Sequence, residues 1–145
     1  MRDELRTASF ADLDTITLYR LLELRCAVFV VEQQAAYLDI DGRDPEPATV
    51  HVWVERAGAP VAYLRVLTEP DGLMRVGRVV VAKEARGSGV AGRLMAAALE
   101  IVGERPSVLD AQAHLADFYA RFGYSVSGAG YVEDGIPHLP MARAA

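Results

Sequence analysis

Arg86, Gly87, Ser88, Gly89, Gly92 and Arg93 fall within one eight-residue stretch. Two cations, three residues without a side chain and one hydroxyl make a group suited to an anion. Guanidinium groups give charge-assisted hydrogen bonds to phosphate. Gly87 and Gly89 let the backbone approach a ligand and take positive φ. What must position them can be read on either side. Val79, Val80 and Val81 are a β-branched run that favours a buried strand. Lys83 to Gly89 reads as a turn. From Val90 the spacing becomes helical: Val90, Leu94, Ala97 and Ile101 recur at three- and four-residue steps, and Ala91, Met95, Ala98 and Val102 widen that face. Gly103 reads as the C-cap, and Pro106 blocks continuation. Strand, glycine turn and helix N-terminus together hold phosphate or pyrophosphate, because the first helical N–H groups lack partners and carry partial positive charge.

Other chemistry-bearing residues are sparse. Cys26 is the single cysteine, so no internal disulfide forms and a reducing cytoplasm is the expected setting. As a nucleophile it would need a base, and none is visible beside it. Three scattered histidines and one cysteine make no metal-ligand cluster. Tyr37, Asp39, Asp41, Arg43 and Asp44 sit in a turn-rich stretch that reads either as the wall of a substrate site or as a solvated loop.

The 145 residues suit one domain spanning 1–145, and 52% hydrophobic residues argue against disorder. A net charge of −5 disfavours a nucleic-acid binder, which needs a basic stripe, and mildly favours a cationic or neutral substrate such as an amine. No apolar run reaches the roughly 20 residues of a membrane span, and the charged start MRDELRTASF has no secretory h-region.

In chain order, Leu5 to Phe10 reads as a short strand. Asp12 or Asp14 caps a helix from Ile16 to about Val31, closed by Glu32-Gln33-Gln34. Thr49 to Arg56 alternates, with Val50, Val52 and Val54 on one face and His51 and Trp53 on the other. A turn at Gly58-Ala59-Pro60 leads to a strand over 61–68, and Pro70-Asp71-Gly72 to another over 73–82: an antiparallel meander. Ser107 to Ala111 is strand-like, 114–122 a short helix capped by Gly123, and Tyr124 to Ser127 a short strand. After a loop and a turn at Glu133-Asp134-Gly135, a last strand over 136–141 is expected at an edge because of Pro137 and Pro140. The whole reads as an α/β domain with a mixed sheet.

Gly87-x-Gly89-x-x-Gly92 is literally the dinucleotide fingerprint, with Asp110 as the possible ribose-binding acid. Four residues separate it from its strand, however, and too little chain follows for a second mononucleotide half. An ordinary βα turn with incidental glycines is also open. The alternative frame, Arg86-x-x-Gly89-x-Ala91, resembles the acetyl-CoA signature of the GNAT N-acetyltransferases. Gln112-Ala-His-Leu-Ala-Asp-Phe118-Tyr119-Ala-Arg-Phe-Gly123-Tyr124 resembles that family's second signature, with Gln112 where asparagine is common and Tyr124 where phenylalanine is usual. Val28-Phe-Val-Val-Glu-Gln33 with Asp41-Gly-Arg-Asp44, Arg78-Val-Val-Val81, and Tyr131-x-Glu-Asp-Gly-Ile-Pro-His138 look like its ElaA-type branch.

The resemblance implies the GNAT fold: an α+β arrangement with a mixed, mostly antiparallel sheet flanked by helices. It implies acetyl-CoA as co-substrate and a small-molecule or peptide amine as acceptor. The pyrophosphate would rest on the N–H groups of Ser88, Gly89, Val90, Ala91 and Gly92, with Arg86, Gly87 and Arg93 beside it. Val79, Val80 and Val81 would pair with pantetheine like an added strand. Gln112 and Phe118 would face the cofactor, and Tyr119 would protonate the departing thiolate. Glu32, His51 and His138 are the candidates for binding and deprotonating the amine. No resident metal, nucleic acid or membrane is implied. Monomer and homodimer both stay open, as do a nicotinamide- or flavin-binding domain and a CoA-binding protein without turnover.

Overall fold

The computed structural model describes residues 3–145. In chain order its elements are β1 (Asp3–Ala8), α1 (Thr15–Cys26), β2 (Val50–Arg56), β3 (Ala59–Thr68), β4 (Met74–Val81), α2 (Val90–Val102), β5 (Ser107–Gln112), α3 (Ala116–Ala120), β6 (Ser125–Val126), β7 (Tyr131–Glu133) and β8 (Ile136–Arg143). The strands form one sheet, ordered β1-β2-β3-β4-β5-β8-β6, with β7 also on β8. Among the described residues only the β4–β5 pair is parallel. This is the mixed, mostly antiparallel α/β architecture expected above.

The alternation in β2 separates two cores. Val52 and Val54 are buried against α2 through Leu94, Met95, Ala98 and Val102. Trp53, with Tyr63 and Val80, packs against Leu21 and Val28 on the opposite face. The buried stripe of α2 is Val90, Leu94, Met95, Ala98 and Val102, shifted to one side of the predicted face so that Ala97 and Ile101 are only partly buried, and Gly103 ends the helix at φ 62. Asp14, not Asp12, caps α1, accepting from the Thr17 amide at 2.7 Å. Beyond Cys26 the helix changes pitch: Gln33 donates to Val28 O and Ala35 to Val30 O, i→i−5 bonds that make a π-helical extension over Ala27–Glu32.

Three expectations are corrected. The β2–β3 turn lies at Ala57-Gly58, both at positive φ, so Ala59 and Pro60 already belong to β3. The stretch before the Asp134-Gly135 turn is a strand, β7, paired with β8. And β8 is not an edge: it lies between β5 and β6. Its prolines fit because neither is asked for an amide. Pro140 presents its backbone to the β6 side, where its carbonyl accepts from Ser127, in the gap between the β7 ladder ending at His138 and the β6 ladder beginning at Met141. Pro137 faces the β5 side, one residue past the end of that ladder.

Two departures from regularity shape the centre of the sheet. β4 and β5 pair only at Met74–Ser107 and Arg75–Val108, and then diverge. Where they diverge, β4 also bulges: Tyr63 faces Val80 and Arg65 faces Gly77, so Arg78 and Val79 together oppose Leu64. Arg78 has φ 54, the left-handed region that is costly for a residue with a side chain.

Candidate active site

The splay of β4 from β5 opens a cleft of about 1130 Å³, lined by Val79, Val80, Val81, Arg86 and Ala91 on one side and by Asp110, Gln112, Phe118, Tyr119 and His138 on the other. At one end lies the glycine turn. Gly87 and Gly89 adopt φ 78 and 81, and Gly89 is the N-cap of α2 with no side chain capping it. Among the described residues, no amide from Gly87 to Gly92 donates to a protein acceptor. Six consecutive N–H groups at a helix N-terminus therefore offer themselves to an anion.

The two arginines of the turn diverge. Arg86 faces the cleft, held by Glu32 in a bidentate pair at 2.8 and 2.9 Å and by Val81 O at 3.1 Å. That pair holds the Glu32 carboxyl below its usual range. Arg93 turns the other way, toward Asp3 O at 3.4 Å, beside Leu5 and Ala97 and outside the cleft.

The β4 wall presents backbone. Ala82 N donates to Val61 O, so alternation points the N–H and C=O of Val80 at β3 and those of Val79 and Val81 at the cleft. These groups stand at strand spacing, ready to pair with an extended ligand. Gln112 Nε2 donates to Gln33 Oε1 at 3.2 Å, which ties the end of β5 to the π-helical segment across the opening. Tyr119 is 5% exposed, its ring edge-on to Phe118. Burial, with Tyr124 nearby, pushes its phenol up to about 12, so it stays protonated at neutral pH. Among the described residues its hydroxyl has no hydrogen-bond partner, and the side chain lines the cleft. Arg121, 5.4 Å over the Phe118 ring, adds a cation that sequence reasoning passed over.

The far end of the cleft carries His138 stacked on Tyr131, centroids 5.5 Å apart. His138 Nδ1 lies 2.8 Å from Ile136 O, which can only accept. Nδ1 therefore holds the proton, and in the neutral ring Nε2 keeps a free lone pair. His51 is elsewhere: 2% exposed, it is not part of the cleft lining. Its Nε2 donates to Asp44 O at 3.0 Å and its Nδ1 accepts from Tyr63 at 2.6 Å, which leaves no lone pair for an amine. Burial pushes its pKa down, so it stays neutral.

The turn-rich stretch after α1 is mixed: Tyr37 and Leu38 line the cleft and Ile40 is exposed, while its aspartates turn inward. Asp39 and Asp44 are 3% and 4% exposed. Arg25, 1% exposed, donates Nε to Asp39 Oδ2 at 3.0 Å and Nη1 to Asp44 Oδ1 at 2.8 Å. Arg65 of β3 binds Asp41 and Asp44. Arg78 binds Asp39 and Asp41. Three arginines from three elements thus neutralise three aspartates of one loop, behind and along the cleft floor. Alternation would have shown Arg65 on the same face as His51, but no local pattern names its partners.

A sheet split between its one parallel pair, an unpartnered row of amides and a buried tyrosine define an acyltransferase-type cleft, and the chain belongs to the GNAT acetyltransferase family: the family model described as "Acetyltransferase (GNAT) domain" matches residues 19–145. It is similar to protein ElaA of Escherichia coli, 44% identical over 139 residues that cover 92% of this chain and 91% of that protein. A UPF0039 protein of Mycobacterium tuberculosis is 44% identical over 147 residues, covering 99% and 94%. Among solved structures, E. coli ElaA superposes with a TM-score of 0.93 at 40% identity, covering 98% of this chain and 99% of that one. An acyl-CoA N-acyltransferase from Pseudomonas aeruginosa superposes at 0.92 and 40%, covering 97% and 99%.

Proposed function

We propose that this protein is a single-domain, cytoplasmic N-acetyltransferase that moves the acetyl group of acetyl-CoA to a primary amine, of a small molecule or a peptide, by direct attack. The observation that carries the reading is the split between β4 and β5, bounded by the six free amides of 87–92 at one end and by Tyr119 on the far wall. The pyrophosphate binds those amides with Arg86, and pantetheine runs along Val79 and Val81 as an added strand. Gln112 and Phe118 line its other side. Arg93 drops out of the phosphate site because its side chain leaves the cleft.

The amine nitrogen attacks the thioester carbonyl carbon, and the carbonyl oxygen gains negative charge opposite the Val79 N–H, the donor that the bulge turns into the cleft. Collapse breaks the C–S bond. The Tyr119 phenol gives its proton to the leaving thiolate. The proton lost by the amine goes to His138 Nε2, directly or through water; Glu32 is committed to Arg86, and His51 is out of reach. The products are the N-acetylated amine and CoA. The name of the P. aeruginosa neighbour, an acyl-CoA N-acyltransferase, supports the reaction class.

Calorimetric titration with acetyl-CoA, with NADH as comparison, tests the cofactor. Saturable acetyl-CoA binding without NADH binding is expected, followed by thiol release on adding an acceptor amine. NADH binding without acetyl-CoA binding would overturn the reading. Acetyl-CoA binding with no thiol release across an amine panel would leave a CoA-binding protein without turnover.

A further inference from the structure

Resting on the acetyl-CoA reading above, we infer that Arg78 is a positioning residue: Asp39 and Asp41 clamp its side chain, and the clamp holds the β4 bulge that aims the Val79 N–H at the thioester carbonyl. The backbone of Arg78 is left-handed, at φ 54, in the middle of a strand. Nothing in its residue type favours that conformation, and glycine would take it freely. The surrounding structure must therefore impose it.

The side chain shows what does so. Arg78 Nε lies 3.0 Å from Asp39 Oδ1, and its Nη2 donates to Asp39 O at 3.1 Å and to Asp41 Oδ2 at 3.3 Å. The Tyr37 ring covers the guanidinium at 5.4 Å. Tyr37 also donates its hydroxyl to Asp39 Oδ1 at 2.7 Å, and Arg25 holds the other Asp39 oxygen. The anchor is thus fixed from α1 and carried through one aspartate to the residue preceding Val79. A merely structural ion pair would not need to end on the bulged residue; this one does, at the point where the backbone turns from β3 toward the cleft.

Arg78→Met tests the clamp without dismantling the loop, because Asp39 keeps Arg25 and Tyr37, and Asp41 keeps Arg65. Urea midpoints check that the fold is retained. The expected result is a fall in kcat of about 10- to 100-fold, approaching the loss of one oxyanion donor, with acetyl-CoA affinity within about twofold of the parent. Isotope-edited infrared spectra of bound acetyl-CoA, labelled at the carbonyl carbon, give the second readout. Wild type lowers the C=O stretch from its solution value, and Arg78→Met moves it back. Arg78→Lys keeps the charge and restores part of both signals, and it carries the same comparison should the methionine variant unfold. An unchanged stretch and kcat in Arg78→Met overturn the inference, and so does a loss of CoA affinity matching the loss of rate, which makes Arg78 an ordinary cofactor contact. A wild-type protein that binds no acetyl-CoA overturns the acetyltransferase reading itself, and is told apart because that failure appears before any variant is made.

Discussion

The glycine turn at one end of the cleft and the charged network behind its floor are built on opposite plans. At the glycine turn the working groups are backbone amides, contiguous from Gly87 to Gly92 and without partners among the described residues. At the loop behind β3 and β4 the working groups are side chains from Arg25, Asp39, Asp41, Asp44, Arg65 and Arg78, far apart in sequence and almost fully paired with one another. The first region is kept unsatisfied so that a ligand can satisfy it. The second is closed on itself, so it positions backbone and resists change. Damage to the first should therefore appear in binding and rate, and damage to the second in stability, except at Arg78, which bears on the β4 bulge and whose loss should appear in rate.

Arg25→Met presses hardest on this contrast. It removes the fully buried guanidinium that joins Asp39 to Asp44, leaving Asp39 to Arg78 and Tyr37 and Asp44 to Arg65, and should cost about 3 kcal/mol in a urea titration. A cost near zero would mean the network is a passive surface feature and would break the comparison. Tyr119→Phe should do the reverse: turnover falls about 10- to 100-fold, while the urea midpoint and acetyl-CoA affinity hold. Unchanged turnover would remove Tyr119 from the mechanism.

Gly89→Asp places a carboxylate beside the amide row, in a left-handed position open to space. Acetyl-CoA affinity should fall by about tenfold or more, from lost charge complementarity at the helix N-terminus, and equal affinity would move the phosphate site elsewhere. For the closed region, acid is the milder probe. Burial pushes the Asp41 and Asp44 carboxyls up, but Arg65 at the first and Arg25 at the second outweigh it, so both are held below the ordinary range. A carboxylate with a depressed folded pKa contributes stability above its unfolded value, about 3.9, and loses it as pH falls through the folded one. Stability should therefore be level above about pH 5 and decline below about pH 4, with a shallower decline in Asp41→Asn; the same slope in both would place the acid-sensitive groups elsewhere. The smallest effect belongs to Glu32→Gln, which releases Arg86 from an exposed pair. The urea midpoint should not move, and acetyl-CoA affinity should rise slightly as the guanidinium is freed for phosphate.

Much of the amide-row end was legible because its signals are local. Gly87 and Gly89 take the positive φ their type invites, and Val90 to Val102 buries one side of the stripe its spacing marks. Tyr119 reached the cleft as the second signature implies. Arg93 did not: one step around the helix sends its side chain toward β1, a direction set by packing and not by the motif. His51 was misjudged because its fate depends on Tyr63 and Asp44, neither of which its own strand reveals.

What the sequence determined by itself is what short-range physics can carry: the strand, glycine turn and helix around Gly89, the alternation of β2, the C-cap at Gly103, and the family to which these motifs belong. Tertiary structure alone decided the parting of β4 and β5, the place of β8 inside the sheet, the left-handed bulge at Arg78 and the pairing of three arginines with three aspartates. Each of these depends on which distant group arrives opposite a given residue. Periodicity reports only which face a residue occupies, whereas partners across a sheet or a buried ion pair are chosen by the packing of the whole chain.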